Sequence, residues 1–89
     1  MKIVITIIGH DRVGIVAKVS TALAQGNVNI IDINQSIING FFNMAMIAEM
    51  PEQGISLKDL HQQLKVLGDE IGVEIKAQHE DIFNVMHRI

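Results

Sequence analysis

The sequence predicts an α+β fold of βαββαβ order, a four-stranded antiparallel sheet of spatial order 4-1-3-2. Two helices lie on one face and a short helix ends the chain. Three observations point there. Segments rich in β-branched residues alternate with segments whose apolar residues recur at helical spacing. Asn39-Gly40 stands between the second and third strand-like segments, a strong hairpin signal, because both central residues of a type I′ turn take positive φ. Two βαβ units joined by such a hairpin interlock into one sheet in the stated order.

Residues 2–8, Lys-Ile-Val-Ile-Thr-Ile-Ile, read as a buried strand. Gly9 to Arg12 is a polar loop. From Val13 the period changes, and Val16, Val19, Leu23 and Ala24 mark one face of a helix. Gln25-Gly26-Asn27 stops it, with Gly26 suited to a left-handed cap. Residues 28–38 return to strand composition, and Phe41 to Met50 supplies the hairpin partner before Pro51 ends it. Ser56 is the expected N-cap of a second helix, with Asp59 three residues on. Leu57, Leu60, Leu64 and Leu67 form its apolar stripe, and Gly68 or Gly72 its stop. Val73 to Ala77 reads as the fourth strand. Ile82, Val85, Met86 and Ile89 then recur as on an amphipathic helix, so 80–89 is expected to be a helical extension of a single domain spanning 1–89.

Composition narrows the function. A chain of 89 residues holds one core, and a domain of this size buries only about 60–65% of its unfolded surface. Here 48% of residues are apolar, with three Phe and no Trp or Tyr. The net charge of −3 and the lack of a basic cluster argue against nucleic acid, which needs gathered Lys and Arg. No cysteine is present, which removes disulfides and thiolate metal sites and suits the cytoplasm. The apolar start is broken at Gly9, too early for a membrane span. A soluble, cytoplasmic protein is expected, without cofactor or bound metal.

The strand over 28–38 carries Ile31, Ile33 and Ile37 in one phase and Ile30 and Ile38 in the other. The strand from Phe41 places Phe42, Met44, Met46 and Met50 on one face and Phe41, Ala45 and Ile47 on the other. A sheet with helices on one side should alternate apolar with polar. An apolar second face and an Ile-rich edge would need cover from the C-terminal helix or a second subunit, so a homodimer or higher homo-oligomer is expected.

Candidate ligand contacts gather in Gly9-His10-Asp11-Arg12-Val13-Gly14-Ile15-Val16 and in Gly26-Asn27-Val28-Asn29-Ile30. The first stretch leads into a helix, whose free N–H groups and dipole suit a carboxylate or phosphate. Gly14 removes a side chain where a ligand would approach. The Asn29 amide both donates and accepts. With Asn29 placed at the same end of the sheet, Asp11, the helix start and Asn29 would hold both poles of an amino acid. Each residue also has a plainer reading. Asp11 serves equally as a turn or cap residue, Gly14 as a packing glycine, Asn29 as a strand-entry residue and Arg12 as a solvated loop charge.

Taken together, Gly-x-Asp-Arg-x-Gly-Ile-Val, a helix of about three turns, and Gly-x-Val-Asn-Ile before a strand resemble the ACT domain signature. That signature usually carries Pro where Val13 stands. The likeness spans nearly the whole chain, and residues 82–89 look like the ending of small bacterial and archaeal proteins made of one ACT domain. The resemblance implies a ferredoxin-like sandwich that binds amino acids or other small molecules at subunit interfaces and regulates an attached or partner enzyme. Its ligand contacts carry over to His10, Asp11, Gly14, Asn29 and Ile30, with Arg12 and Val13 in the same loop.

Three other readings use the same residues. An acylphosphatase-like enzyme would pair Arg12 with Asn29, but Asp11 beside the arginine opposes a phosphate dianion, and an enzyme is not expected. A metal site would need three or four ligands, and His10, His61, His79 and His87 are scattered through the chain. His79 is placed at the Met1 end, away from His10. A ligand-free oligomerisation or protein-interaction module would use the Met-rich strand as an adaptable surface.

Overall fold

The computed structural model describes residues 1–10 and 13–81. The elements run β1 (Lys2–His10), α1 (Ile15–Gln25), β2 (Asn29–Ile38), β3 (Phe41–Glu49), α2 (Leu57–Ile71) and β4 (Val73–His79). The strands form one sheet in the order β2-β3-β1-β4, with every adjacent pair antiparallel. Read from the other edge this is 4-1-3-2, the order expected from the sequence. The arrangement is ferredoxin-like.

Alternation in the strands builds the core. Ile3, Ile5 and Ile7 of β1, Phe42, Met44, Met46 and Ala48 of β3, and Val73, Ile75 and Ala77 of β4 are buried together. Ile15, Val19 and Leu23 of α1 and Leu60, Leu64 and Ile71 of α2 close over them. Each fully buried side chain of this size contributes about 1.5–3 kcal/mol relative to exposure. Helix α2 lies along β4, and α1 lies on the side of β2.

Local chemistry sets the boundaries. Ser56 Oγ accepts a hydrogen bond from the Asp59 N–H at 3.1 Å, which caps α2. Asn39 and Gly40 take φ of 52° and 80° at the hairpin. Gly72, with φ 76°, ends α2 as its N–H donates to the Gly68 carbonyl at 2.8 Å. Two caps differ from expectation. The left-handed residue after α1 is Asn27, with φ 58°, and not Gly26, whose φ is −89°. At the other end of α1 the N-cap is Gly14.

The largest departure is in β2. Ile30 faces Ala48 and Asp32 faces Ile47, so Ile31 is an extra residue in a bulge. Beyond it the phase is shifted by one. Ile30, Ile33 and Ile37 pair with Ala48, Met46 and Phe42 on the helix-covered face, and Asp32, Asn34, Ser36 and Ile38 take the other. The second face also carries Thr6, Asn43, Glu74 and Lys76, by their register with these residues. It is therefore mixed rather than apolar, which corrects the expectation that β2 is apolar on both sides. Exposed apolar side chains on that second face include Ile8 and Phe41, and others line the β2 edge, where Ile31, Ile33, Ile37 and Ile38 are 44–61% exposed.

Glu80 and Asp81 are in helical conformation. The remainder of the C-terminal helix expected over 80–89 falls on residues outside those described. No helix among the described residues is long and apolar enough to cross a membrane.

Candidate ligand-binding site

Helix α1 begins abruptly. Gly14 adopts φ 91° and ψ 1°, and as the N-cap it has no side chain with which to cap the first turn. A residue with a Cβ would be strained in this left-handed conformation, although the space around a Cβ there is empty. Among the described residues the first N–H groups of α1 thus have no capping side chain, at the positive end of the helix dipole. Beside them is a cleft of about 120 Å³ lined by Val13, Gly14, Ile15 and Lys18 from the start of α1 and by Glu70 and Ile71 from the end of α2. Lys18 and the uncapped turn favour an anion, and Glu70 favours a cation. The cleft therefore offers complementary charge to both poles of a zwitterion. Val13 is fully exposed at its mouth.

Lys18 and Glu70 were not among the residues singled out from sequence. The signal for Lys18 is its spacing: four residues after Gly14, it lies one turn along the helix. The signal for Glu70 is topological, because α2 ends where β4 departs and β4 starts opposite Gly9.

The other expected contacts are distributed differently. Asp11 and Arg12 lie outside the described residues. His10 is exposed, and its ring stacks on Phe41 with centroids 4.7 Å apart and planes at 27°. Since Phe42 faces the helices, the register puts His10 and Phe41 on the opposite face of the sheet. Asn29 and Ile30 stand at the far end. Asn29 faces Glu49, which in turn faces Lys2, whereas His10 faces Phe41. Strands β1 and β2 run in the same direction with β3 between them, so the end of β1 and the start of β2 are at opposite ends. At about 3.3 Å per residue the separation is roughly 25–30 Å. The expectation that Asn29 lies at the same end as the first loop is therefore wrong within one chain.

At the Asn29 end, the Met1 ammonium donates to Glu49 Oε1 at 3.2 Å. His79 faces Ile3 there, as expected. Among the described residues no three His, Asp or Glu side chains gather closely enough to hold a metal ion. His87 is outside that set.

Comparison with known proteins agrees with this fold. The ACT domain sequence profile matches residues 1–78. A UPF0237 protein of Methanosarcina mazei is 50% identical over 88 residues, covering 99% of this chain and 96% of the relative. An ACT domain protein from Streptococcus pneumoniae superimposes with a TM-score of 0.82 at 32% identity, over 93% of each chain. A formyltetrahydrofolate deformylase from Pseudomonas syringae matches with a TM-score of 0.78 at 27% identity, over 88% of this chain but only 27% of the deformylase. In that enzyme the shared fold is thus one part of a longer polypeptide.

Proposed function

Because the chain belongs to the ACT domain family, we propose that it is a regulatory module that binds an amino acid or a related small metabolite where two copies meet. It modulates a partner enzyme by binding and carries out no catalytic step itself. The observation that carries this reading is the β2 edge. Ile33 and Ile37 lie on the helix side of that strand yet are 44% and 52% exposed, and Val16 of neighbouring α1 is also exposed. An apolar edge of this length invites pairing with its own copy.

Such pairing also reunites the divided contacts. If β2 pairs antiparallel with β2 of a second copy, the partner's strand begins where the first one ends. Asn29 of the partner subunit then comes to the end of the sheet that carries Gly14, Lys18 and Glu70. Helix α1 is the helix on the β2 side, so its uncapped start faces that junction. The ligand's carboxylate meets the first turn of α1, its ammonium meets Glu70, and the amide of the partner subunit's Asn29 completes the enclosure.

A thermal-shift screen of the twenty amino acids and related metabolites tests the reading. A ligand at one hundred times its Kd raises stability by about 2.7 kcal/mol. A flat screen, with a dimer still present in sedimentation, favours the second reading of a ligand-free pairing module. One observation supports that alternative: the cleft of about 120 Å³ in a single chain is smaller than the ~300–1,000 Å³ usual for ligand sites.

A further inference from the structure

We propose that the groove between α2 and β4, on the sheet edge opposite β2, is a second self-association surface whose occupant is another copy of this chain. The groove encloses about 700 Å³ and includes Lys65, Gly68, Asp69, Glu74, Ile75 and Lys76 in its lining. Strand β4 pairs with β1 along one side and borders no described strand along the other. Charged side chains on such an edge ordinarily guard it against pairing. Here the order of the charges does the reverse for one particular partner.

Helix α2 runs toward Gly72 and β4 runs away from it. On the helix the base Lys65 precedes the acid Asp69 by one turn. On the strand the acid Glu74 precedes the base Lys76, and the two pair at 3.5 Å while 67% and 59% exposed. Both elements therefore carry negative charge near Gly72 and positive charge farther from it. A two-fold axis perpendicular to the sheet through Ile75 inverts that order in the second copy. Glu74 then lies directly across from Lys76 of the partner subunit, and Lys76 across from the partner subunit's Glu74. On the helices, Lys65 comes level with Asp69 of the partner subunit. The two layers roughly correspond, because Gly68, between Lys65 and Asp69, would carry a Cβ 2.6 Å from the Val73 carbonyl oxygen and 3.4 Å from Ile75 Cγ1.

The charges also select the register. Moving the axis to Glu74 sets two glutamates opposite each other, and moving it to Lys76 sets two lysines opposite each other. Both arrangements are repulsive. A shift to an axis between residues would reverse the faces of the sheet. Of these arrangements only the axis through Ile75 sets each glutamate opposite a lysine. This surface is independent of the ligand reading. Used together with the β2 edge, it gives each chain two interfaces and produces assemblies larger than a dimer.

Analytical ultracentrifugation across a concentration series tests the proposal with four variants: Glu74→Lys, Lys76→Glu, the double exchange E74K/K76E, and Ile37→Lys on the β2 edge. The unaltered protein is expected to form species larger than two copies at high concentration. Each single charge reversal limits assembly to the dimer formed at β2, and Ile37→Lys limits it to the dimer formed at β4. The double exchange restores the larger species, because it rebuilds both ion pairs with their signs swapped. Three outcomes overturn the proposal. The unaltered protein never exceeds two copies, which leaves the groove to a peptide strand or a solute. A single charge reversal leaves assembly unchanged. Or the double exchange fails to rescue while its circular dichroism and melting match those of the unaltered chain. Should a single variant misfold, the rescue in the double exchange still reads the pairing.

Discussion

His10 and Asn29 occupy opposite ends of β3, the first facing Phe41 and the second facing Glu49. Roughly 25–30 Å of strand separates them, so one chain cannot close both around a small metabolite. The proposed ligand site is consequently a property of two chains, and it has a genetic signature.

That signature is complementation. Asn29→Ala and Lys18→Ala should each abolish ligand-induced stabilisation when pure. In an equal mixture half of the dimers are mixed, and each of these has one site with both residues intact. Thermal shift should therefore reappear on mixing and subunit exchange. Persistent loss in the mixture would mean that both residues act within the same chain.

The β2 edge should be sensitive to charge. Ile33→Lys places a cation on the apolar side of the edge, and two-fold symmetry makes the substitution count twice. Losing about 1.5 kcal/mol of apolar burial on each side weakens the β2 dimer by roughly a hundredfold in Kd. Sedimentation equilibrium reads the change directly. An unchanged Kd would place the contact elsewhere.

Gly68→Ala opposes two effects of known sign. Alanine favours an exposed helix interior by about 0.5–1 kcal/mol over glycine. Here, however, its Cβ would lie 2.6 Å from the Val73 carbonyl oxygen, a backbone atom with little freedom to move. The steric effect should prevail, with a net loss of about 1–3 kcal/mol in urea unfolding. A gain in stability would show that α2 can lift from β4 at little expense.

Removal of the α2 cap has a narrower expected result. Ser56→Ala deletes the acceptor for the Asp59 N–H and should lower stability by about 1 kcal/mol. Ser56→Asp keeps an acceptor at that position and should retain most of it. Equal losses in the two variants would indicate that the hydroxyl's role is something other than capping.

Much of the fold was legible because its signals are local. Asn39-Gly40 announces its turn by backbone preference, and Ser56 with Asp59 announces a helix start by the spacing of one hydrogen bond. The leucines of α2 identify their buried face by period alone. Two misreadings share a different cause. Five of the ten residues in β2 are isoleucine, and they occupy both phases, so nothing local reveals that Ile31 is set aside. Placing Asn29 beside the first loop overlooked the fact that parallel strands begin at the same end. That is a statement about topology, and no residue type advertises it. Lys18 and Glu70 escaped notice similarly, since their proximity exists only after α1 and α2 have packed on the sheet.

The bulge in β2 also bears on how this strand tolerates changes in length. With Ile31 outside the pairing, Ile30 and Asp32 already stand in the in–out relation of adjacent residues in a regular strand. Excising Ile31 would leave every other side chain on its present face, whereas excising Asp32 or Ile33 would disturb the alternation unless the bulge moved to absorb the loss. A deletion scan across β2 should therefore show one permissive position flanked by intolerant ones. In this strand a residue can be counted in the chain and yet be absent from the beat of the sheet.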